Sequence, residues 1–385
     1  MLRSPMSRDP ALLAECRDLQ QAIVRYRTLN QMRAASEWPS LAPRFEALLH
    51  RLRRYEASPA SAATNGAGAV HAVQWNIEHG NWYEQVEEAL LTHPKLRDAD
   101  LLTFNEIDLG MARAGNRDVT GDLARALDRH AVWVPLFLET TLGRDDDLTT
   151  AGDRRNEEGL FGLAILSRWP IGEVRIVDLP SPADLQFALE RMLGRHVGLI
   201  VEVLRPGAPF VAVTAHLEVH RSRRHRAVQM QHVLEALRGE TRPVIFAGDW
   251  NTHTIDRAQW HSPFSGALTM LAPAASERLL HPDRGPDHEP LFDRLRAEGF
   301  TWEPFVDYAP TLQLRLDRIE EVAVARRFLG GLASGLEPIV ERRGRLRLDW
   351  FAGRGWKGGT GETVIGLDGP GRASDHAPIT ARFEA

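Results

Sequence analysis

After residue 70 the chain is a series of short apolar runs with the length and composition of β-strands, separated by turns and by helical patterns. The strand candidates are His71–Ile77, Leu101–Phe104, Gly162–Leu166, Val197–Leu204, Phe210–Ala215, Val244–Ala247 and Leu346–Phe351. Helical periodicity marks Tyr83–Leu91, Asp122–His130 and His225–Arg238. Strands joined by tight turns occur beside strand–helix–strand alternation, and this mixture predicts a layered α/β fold with mixed sheets.

Residues 9–56 have a different pattern, in which two runs of apolar residues recur at helical spacing. The apolar positions are Leu12, Cys16, Leu19, Ile23 and Tyr26, then Leu41, Phe45, Leu48, Leu52 and Tyr55. Trp38-Pro39-Ser40 separates the two runs, so the sequence predicts a helical hairpin with one apolar stripe. The stripe either packs on the rest of the chain or makes a dimer or partner contact.

The segment between the hairpin and the first strand is rich in Ala, Ser and Gly, which is typical of a flexible connection. We therefore expect three parts: a helical N-terminal extension of residues 1–56, a linker of residues 57–70, and a main α/β domain of residues 71–385.

Charge and cysteine content exclude several classes of protein. Lys and Arg number 47 against 52 Asp and Glu, a net charge of −5, which argues against non-specific binding of long nucleic acid. Cys16 is the single cysteine, so an intrachain disulfide or a multi-cysteine metal site is impossible. No stretch approaches the ~20 apolar residues of a membrane span, and we expect a cytoplasmic protein.

Polar residues follow the first two strand candidates at the points where those strands end. Asn76 and Glu78 are two residues apart, which places both side chains on one side of a strand. An amide and a carboxylate together suit a hard cation. The second run ends at Asn105-Glu106, and a carboxylate at the end of a buried strand is costly unless it is paired or bound to a metal ion.

The same arrangement recurs in the middle of the chain. His216 directly follows the apolar run Phe210–Ala215. Val244–Ala247 leads through a glycine into Asp249 and Asn251, whose side chains we expect to project together. An acceptor then lies next to a group that both donates and accepts hydrogen bonds.

Near the C-terminus, Asp349 lies inside a strand candidate and Ser374-Asp375-His376 precedes a short apolar run. An aspartate that contacts an imidazole fixes its tautomer and supports its positive charge. Either Asp349 or Asp375 is able to do this, and adjacency in sequence does not decide between them.

Taken in chain order, these polar residues resemble the motif set of the endonuclease/exonuclease/phosphatase (DNase I-like) superfamily. The segment GLFGLAILSRWPI, residues 159–171, is similar to one of its core strands. The resemblance covers residues 71–385. It implies a four-layer α/β/β/α sandwich of two mixed sheets, with an active site where strand ends converge, and the activity of a divalent-metal-dependent phosphoesterase.

The resemblance also implies a metal site. Glu106 would be the principal ligand of Mg²⁺ or Mn²⁺. Asn76 and Asp375 would complete or support the metal shell, and Glu78 stands where some relatives carry a second acidic residue.

Five further residues receive catalytic roles from the resemblance. His376, oriented by Asp349, would be the base or would stabilise the transition state. Asp249 and Asn251 would orient the water and the phosphate. His216 would stabilise the phosphate or assist the leaving group.

The substrate is less closely determined. Arg117 and Arg195 are candidate phosphate contacts, and the basic run at residues 220–226 either tracks a phosphate backbone or is the solvated start of a helix. The insertions Glu139–Glu158 and His253–Phe300 are candidate specificity loops.

We expect hydrolysis of a phosphate ester, with a nuclease-type phosphodiesterase favoured. The alternatives are a phosphatase or phospholipase C-like enzyme acting on inositol or lipid phosphates, and a catalytically silent relative that binds a phosphorylated ligand. A silent relative is expected to lack at least one of Glu106, Asp249 or His376, and all three are present.

Overall fold

The computed structural model describes residues 9–58, 68–144, 146–257, 272, 274–314 and 342–385. Its helices are α1 (Pro10–Val24), α2 (Leu29–Ala34), α3 (Trp38–Leu49), α4 (Tyr83–Thr92), α5 (Val119–Leu127), α6 (Asp146–Ala151), α7 (Ala183–Glu190), α8 (Arg223–Ala236), α9 (Ala275–Leu280) and α10 (Leu291–Ala297). Its strands are β1 (Arg53–Tyr55), β2 (Val70–His79), β3 (Leu101–Leu109), β4 (His130–Glu139), β5 (Leu160–Ser167), β6 (Ile171–Asp178), β7 (Met192–Gly194), β8 (Val197–Val203), β9 (Phe210–Ala215), β10 (Val244–Asp249), β11 (Leu312–Gln313), β12 (Arg345–Leu346), β13 (Asp349–Arg354), β14 (Gly358–Thr363) and β15 (Ile379–Glu384).

The strands form two large sheets, both of them mixed. The first has the order β1-β4-β5-β3-β2-β15-β14, with β7 also paired to β4, and its β2 and β3 run parallel. The second has the order β13-β10-β9-β8-β6, with β9 and β10 parallel. Strands β11 and β12 form a small separate pair. The parallel pairs bring the carboxyl ends of β2 and β3, and of β9 and β10, to common sheet edges.

The alternation of side chains along each strand separates distinct apolar layers. On β2, Val73 and Trp75 pack in the cluster that contains the N-terminal helices, whereas Ala72 packs between the sheets. On β9, Ala212 faces the space between the sheets and Val213 packs with α8 and α10 on the outside. The result is the four-layer α/β/β/α sandwich that the sequence resemblance implied.

The N-terminal helices belong to this packing. Helices α1 and α3 form the expected hairpin, with the short α2 in the connection. The stripe residues Cys16 and Leu19 are fully buried in the same apolar cluster as Trp75 and Phe104 of the first sheet. The stripe therefore packs on the rest of the chain, the first of the two alternatives.

Two differences from the sequence prediction lie at the C-terminal ends of helices α3 and α5. The second helical run was expected to continue to Tyr55, but α3 ends at Leu49 and the following residues pair with β4 as strand β1. Residues 53–55 pair instead with the edge of β4, whose backbone groups at this point would have no strand partner if the helix continued. The helix predicted over Asp122–His130 ends at Leu127, because Asp128 adopts a left-handed conformation and His130 begins β4.

A third difference lies in the predicted strand Leu346–Phe351, which is interrupted between β12 and β13. The backbone carbonyl of Arg347 accepts a hydrogen bond from Thr252, and the amides of Leu348 and Asp349 donate to the Thr311 hydroxyl. These contacts with loops replace the strand ladder at this point.

Parts of the predicted segments lie outside the described residues: 1–8 of the N-terminal extension, 59–67 of the linker, 145 of the first insertion, 258–271 with 273 of the second insertion, and 315–341 of the domain 71–385. In the described part of the chain, no helix has the length and apolar character needed to cross a membrane.

The packing of α1 predicts a loss of stability on truncating Leu19, which is fully buried. Leu19→Ala should lower the free energy of unfolding by about 2–5 kcal/mol, because it removes apolar contacts and leaves a cavity. Val24 lies on the same helix, is 62% exposed and is the matched control. Val24→Ala should change the free energy of unfolding by less than about 0.5 kcal/mol. Urea unfolding checks both variants, and equal effects would show that α1 does not pack as described.

Candidate active site

The space between the two sheets changes from apolar to polar toward one end. On the inward face of β2, Val70 and Ala72 are followed by Gln74 and Asn76. The neighbouring strands make the same change, and the polar residues at their ends are Thr103, Asn105, Thr214, Asp249 and Asp349. Since buried polar groups require partners, these side chains have to be satisfied by one another.

Asn105 connects the two sheets at this polar end. Its Oδ1 accepts hydrogen bonds from Gln74 Nε2 at 2.6 Å and from the backbone amide of Asp249 at 2.7 Å. Its Nδ2 donates to the Thr214 hydroxyl at 3.3 Å. One amide side chain thus fixes the end of β10 against the first sheet.

Glu106 lies at a bulge in β3, where its backbone φ is +51°. Asn76 Nδ2 donates to Glu106 Oε1 at 3.0 Å and to Asp249 Oδ2 at 3.1 Å, so one amide orients two carboxylates. Asn76 Oδ1 instead accepts from the backbone amide of Glu78. His79 Nε2 lies 3.3 Å from Glu106 Oε2.

Asp249 and Asp349 are directly opposed in the antiparallel pair of β10 and β13. Like charges in this position are destabilising, and burial and Asp349 together raise the pKa of Asp249. His376 lies between them, with Nδ1 2.7 Å from Asp349 Oδ2 and Nε2 3.9 Å from Asp249 Oδ2. This answers the question that the sequence left open, because Asp349 is the carboxylate bonded to the ring.

The environment of His376 favours its protonated form. Burial alone lowers the pKa of His376, but Asp349, Asp249 and Asp375 outweigh burial and raise it well above the usual range. The backbone around the ring is also held, since Ser374 Oγ accepts from the His376 amide and donates to the Asn76 carbonyl. The imidazolium is therefore both charged and fixed in position.

His216 and Asn251 complete the group. His216 Nε2 lies 3.5 Å from Asp249 Oδ2 and 3.8 Å from Glu106 Oε1. Burial lowers the pKa of His216 to about 4, so the ring is neutral at pH 7. Asn251 donates from Nδ2 to the Leu217 carbonyl, and its backbone amide donates to Asp249 Oδ1 at 2.9 Å.

The donor set suits a divalent cation. Burial raises the pKa of Glu106 well above its usual range, and the nearby charge of Asp375 raises it further. A cation relieves the repulsion between two buried carboxylates, and hard ions bind oxygen donors. Among the described residues, the ligand atoms of Asp249, Asp349 and His376 also lie within 4.8 Å of one another.

Three predicted site residues are placed differently from the core group. Glu78 is buried at the irregular end of β2 with φ +45°, and its backbone amide supports Asn76. Arg117 pairs with Glu84 and stacks on Tyr83. Arg195 donates to Asp178 at 2.7 Å and to the Leu49 carbonyl at 2.9 Å, so it holds the N-terminal hairpin.

The basic run is partly neutralised by internal ion pairs. Arg223 pairs with Asp256 at 3.1 Å, and Arg226 is fully buried against Glu289 at 2.6 Å. Ser222 caps the N-terminus of α8 with its hydroxyl. Of the two interpretations, the contacts favour the start of a helix over a track for phosphates.

Sequence reasoning gave no role to several residues that the structure places here, among them Gln74, Thr103, Asn105 and His79. Gln74 and Asn76 share one face of β2, and Thr103 and Asn105 share one face of β3, so the alternation of strand residues was the signal for the first three. His79 carried no such signal, because it is itself the second of two successive left-handed residues that interrupt the strand.

The model of the Endonuclease/Exonuclease/phosphatase family matches residues 73–376, which is most of the chain. The chain belongs to this family. Its members are metal-dependent phosphoric ester hydrolases, and this protein is accordingly a metal-dependent phosphoesterase. A comparison with curated proteins found no match.

Three solved structures illustrate the similarity. An endonuclease/exonuclease/phosphatase from Beutenbergia cavernae is 17% identical, with 83% of this chain and 72% of that chain covered and a TM-score of 0.47. D. rerio TDP2 in complex with single strand DNA product is 17% identical, with 83% and 100% covered and a TM-score of 0.45. The human Nocturnin catalytic domain with bound sulfate is 16% identical, with 82% and 93% covered and a TM-score of 0.41.

The bridging position of Asn105 predicts that this residue supports both stability and turnover. Asn105→Ala leaves the Asp249 amide without its acceptor and removes the shorter of the two hydrogen bonds that Gln74 Nε2 donates, which should cost roughly 1–3 kcal/mol in the free energy of unfolding. Turnover should also fall, by about 10²-fold, because Asp249 loses its anchor.

Thr380 provides the matched control, since its buried hydroxyl contacts His71 and the Ala72 carbonyl elsewhere in the same sheet. Thr380→Val should lower stability but leave turnover near that of the unmodified protein. Urea unfolding and steady-state kinetics measure the two effects. Equal turnover in both variants would contradict an anchoring role for Asn105.

Proposed function

We propose that this protein is a phosphodiesterase that hydrolyses its substrate by in-line attack of water at the polar end of the sandwich. The observation that carries the proposal is the convergence on Asp249 Oδ2, which lies 3.1 Å from Asn76 Nδ2, 3.5 Å from His216 Nε2 and 3.9 Å from His376 Nε2. An acceptor surrounded by three nitrogen groups supports binding of a water molecule next to a phosphoryl group.

We assign the metal site to Glu106 and Asp375, with Asn76 and Glu78 as supporting residues and Mg²⁺ or Mn²⁺ as the ion. When bound, a divalent ion polarises the phosphoryl oxygen and stabilises charge that develops on it. Asn76 supports the site by donating to the Glu106 carboxylate, which keeps that carboxylate directed into the polar cluster.

The chain's own residues accept the proton of water and place hydrogen bonds on the phosphate. Asp249 accepts the proton of the attacking water at Oδ2, the oxygen near which the Nε2 atoms of His216 and His376 lie, at 3.5 and 3.9 Å. The new bond forms between water oxygen and phosphorus as the bond to the leaving oxygen breaks. The His376 imidazolium, held by Asp349, donates a hydrogen bond to a phosphoryl oxygen. The neutral ring of His216 donates a hydrogen bond to the leaving oxygen, which departs as the anion and takes its proton from solvent.

The charge of the site favours a diester over a monoester. Four carboxylates surround one imidazolium: Glu106, Asp249, Asp349 and Asp375. A phosphodiester carries one negative charge, whereas a phosphomonoester carries about 1.5–2 at pH 7. The diester is therefore repelled less in a site of this composition.

We favour a nucleic-acid phosphodiester presented one at a time, such as a single-stranded or terminal linkage. The net charge of −5 and the internal ion pairs of Arg223 and Arg226 disfavour extended binding along a duplex.

A paired substrate assay tests the reaction class. With Mg²⁺ or Mn²⁺, bis-p-nitrophenyl phosphate should be hydrolysed with a higher kcat/KM than p-nitrophenyl phosphate, and EDTA should abolish both activities. Single- and double-stranded DNA, RNA, inositol phosphates and sphingomyelin complete the panel. Preference for the monoester, for inositol phosphates or for sphingomyelin would replace the proposal with one of the alternatives, and binding without turnover would indicate a silent relative.

The imidazole and its carboxylate should act as one unit. His376→Ala should reduce turnover by roughly 10²–10⁴-fold, the usual range for a positioned acid–base group. Asp349→Asn should cause a large part of that loss, because an amide cannot stabilise the imidazolium. The double variant should be little worse than His376→Ala, since the effects of residues that act together are not additive.

Glu106→Gln provides the contrasting variant, because it should weaken the metal dependence first. Turnover and the Mg²⁺ concentration for half-maximal activity are measured for all four variants. If the two losses multiply, or if Asp349→Asn mainly weakens metal dependence, Asp349 is a ligand and the pairing with His376 does not have the proposed role.

A further inference from the structure

His79 occupies a position that the proposed mechanism leaves without a role. It is the last residue of β2, and both Glu78 and His79 have positive φ, at +45° and +67°. The register between β2 and β3 shifts at this point. The irregular backbone brings the ring of His79 against the acidic end of β3, with Nε2 3.3 Å from Glu106 Oε2.

The opposite nitrogen of the ring faces a second carboxylate. His79 Nδ1 is buried without a hydrogen-bond partner and lies 3.7 Å from Asp108 Oδ1. Asp108 is fully buried, and Arg113 holds both of its oxygens, at 2.7 and 3.2 Å. Arg113 also lies 3.0 Å from Glu139. The carboxylate behind the ring is therefore fixed in place.

This order of groups is the one that supports a metal-bound imidazole. A histidine that ligates a metal through one ring nitrogen usually directs the other toward a carboxylate, which sets the tautomer and the ring orientation. Here the series runs Arg113, Asp108, His79, Glu106. Phe161 contacts the ring at a centroid distance of 5.2 Å and restricts its rotation.

We infer that His79 is a ligand of the divalent ion through Nε2, beside Glu106. The inference rests on the proposed function for the assignment of Glu106 to the metal. It adds a nitrogen donor to a site otherwise made of oxygen donors.

His216 is the second imidazole close to Glu106, and its surroundings differ. Its Nε2 lies closer to Asp249, at 3.5 Å, than to Glu106, at 3.8 Å. The ring packs edge-on against His196 at a centroid distance of 6.0 Å. His216 Nε2 thus lies toward Asp249, on the substrate side of the cluster, whereas His79 Nε2 lies toward Glu106, the proposed metal ligand.

A nitrogen ligand has a consequence for ion selectivity. Imidazole binds transition-metal ions better than Mg²⁺, which prefers oxygen donors. The protein should therefore bind Mn²⁺ more tightly than Mg²⁺, and this preference should depend on His79.

Spectroscopy of the Mn²⁺-loaded protein without substrate tests the ligand directly. Pulsed electron paramagnetic resonance should detect ¹⁴N coupling from a bound imidazole. His79→Asn is the informative variant, because asparagine tolerates a positive φ and removes the ring nitrogen. The coupling should disappear in His79→Asn and persist in His216→Asn, the matched change at the neighbouring ring. Persistence in His79→Asn, or absence from the unmodified protein, overturns the inference.

Equilibrium titrations give a second measurement. The ratio of the Mg²⁺ to the Mn²⁺ dissociation constant should fall by about tenfold in His79→Asn, judged from the usual effect of altering groups around a bound metal. An unchanged ratio shows that His79 only packs against Phe161. Glu106→Gln separates the two proposals. If Glu106→Gln leaves the Mn²⁺ affinity unchanged, the assignment of the metal to Glu106 is wrong. If Glu106→Gln weakens Mn²⁺ binding and His79→Asn leaves it normal, only the assignment of His79 as a ligand is wrong.

Discussion

The opposition of Asp249 and Asp349 across two antiparallel strands is the constraint on which the rest of the site depends. Two buried carboxylates at paired positions would separate the strands unless a positive group lay between them. The imidazole of His376 provides that group, and its position requires the C-terminal segment to return to the first sheet. Ser374 bonds the Asn76 carbonyl, and Trp75 Nε1 donates to the His376 carbonyl at 2.8 Å. Both sheets are thereby joined at the end where the chemistry is expected.

The polar end of the sandwich is supported by the apolar remainder. Burying unsatisfied amides and carboxylates costs free energy, and here the side-chain amides of Asn105 and Asn76 each bond to two or more groups. The apolar layer between the sheets and the two layers beneath the helices provide the compensating burial. The N-terminal hairpin contributes to one of these layers, so its role in the fold extends to residues far from it in sequence.

The fold and the central residues were predictable from sequence because strands impose a regular alternation. Apolar runs located seven strands of the two sheets, and the polar residues that follow them include Asn76, Glu106, His216 and Asp249. The choice of Asp349 over Asp375 as the partner of His376 was not predictable, since it depends on the register between β10 and β13. The position of His79 was hidden for a similar reason, because left-handed residues break the alternation from which its direction would be read. Strand β1 was missed because Leu52 and Tyr55 continue the helical spacing of the preceding run.

The cluster around Arg113 connects the metal site to a loop that sequence analysis associates with specificity. Asp147 belongs to α6, within the insertion 139–158, and lies 3.6 Å from Arg113 Nη1. The Asn81 side chain donates a hydrogen bond to Asp147 at 2.7 Å. The same guanidinium holds Asp108, which faces His79. Arg113 is buried among three carboxylates, Asp108, Glu139 and Asp147, so the positions of all three depend on one guanidinium. The insertion and the surroundings of Glu106 are therefore joined through one set of ion pairs.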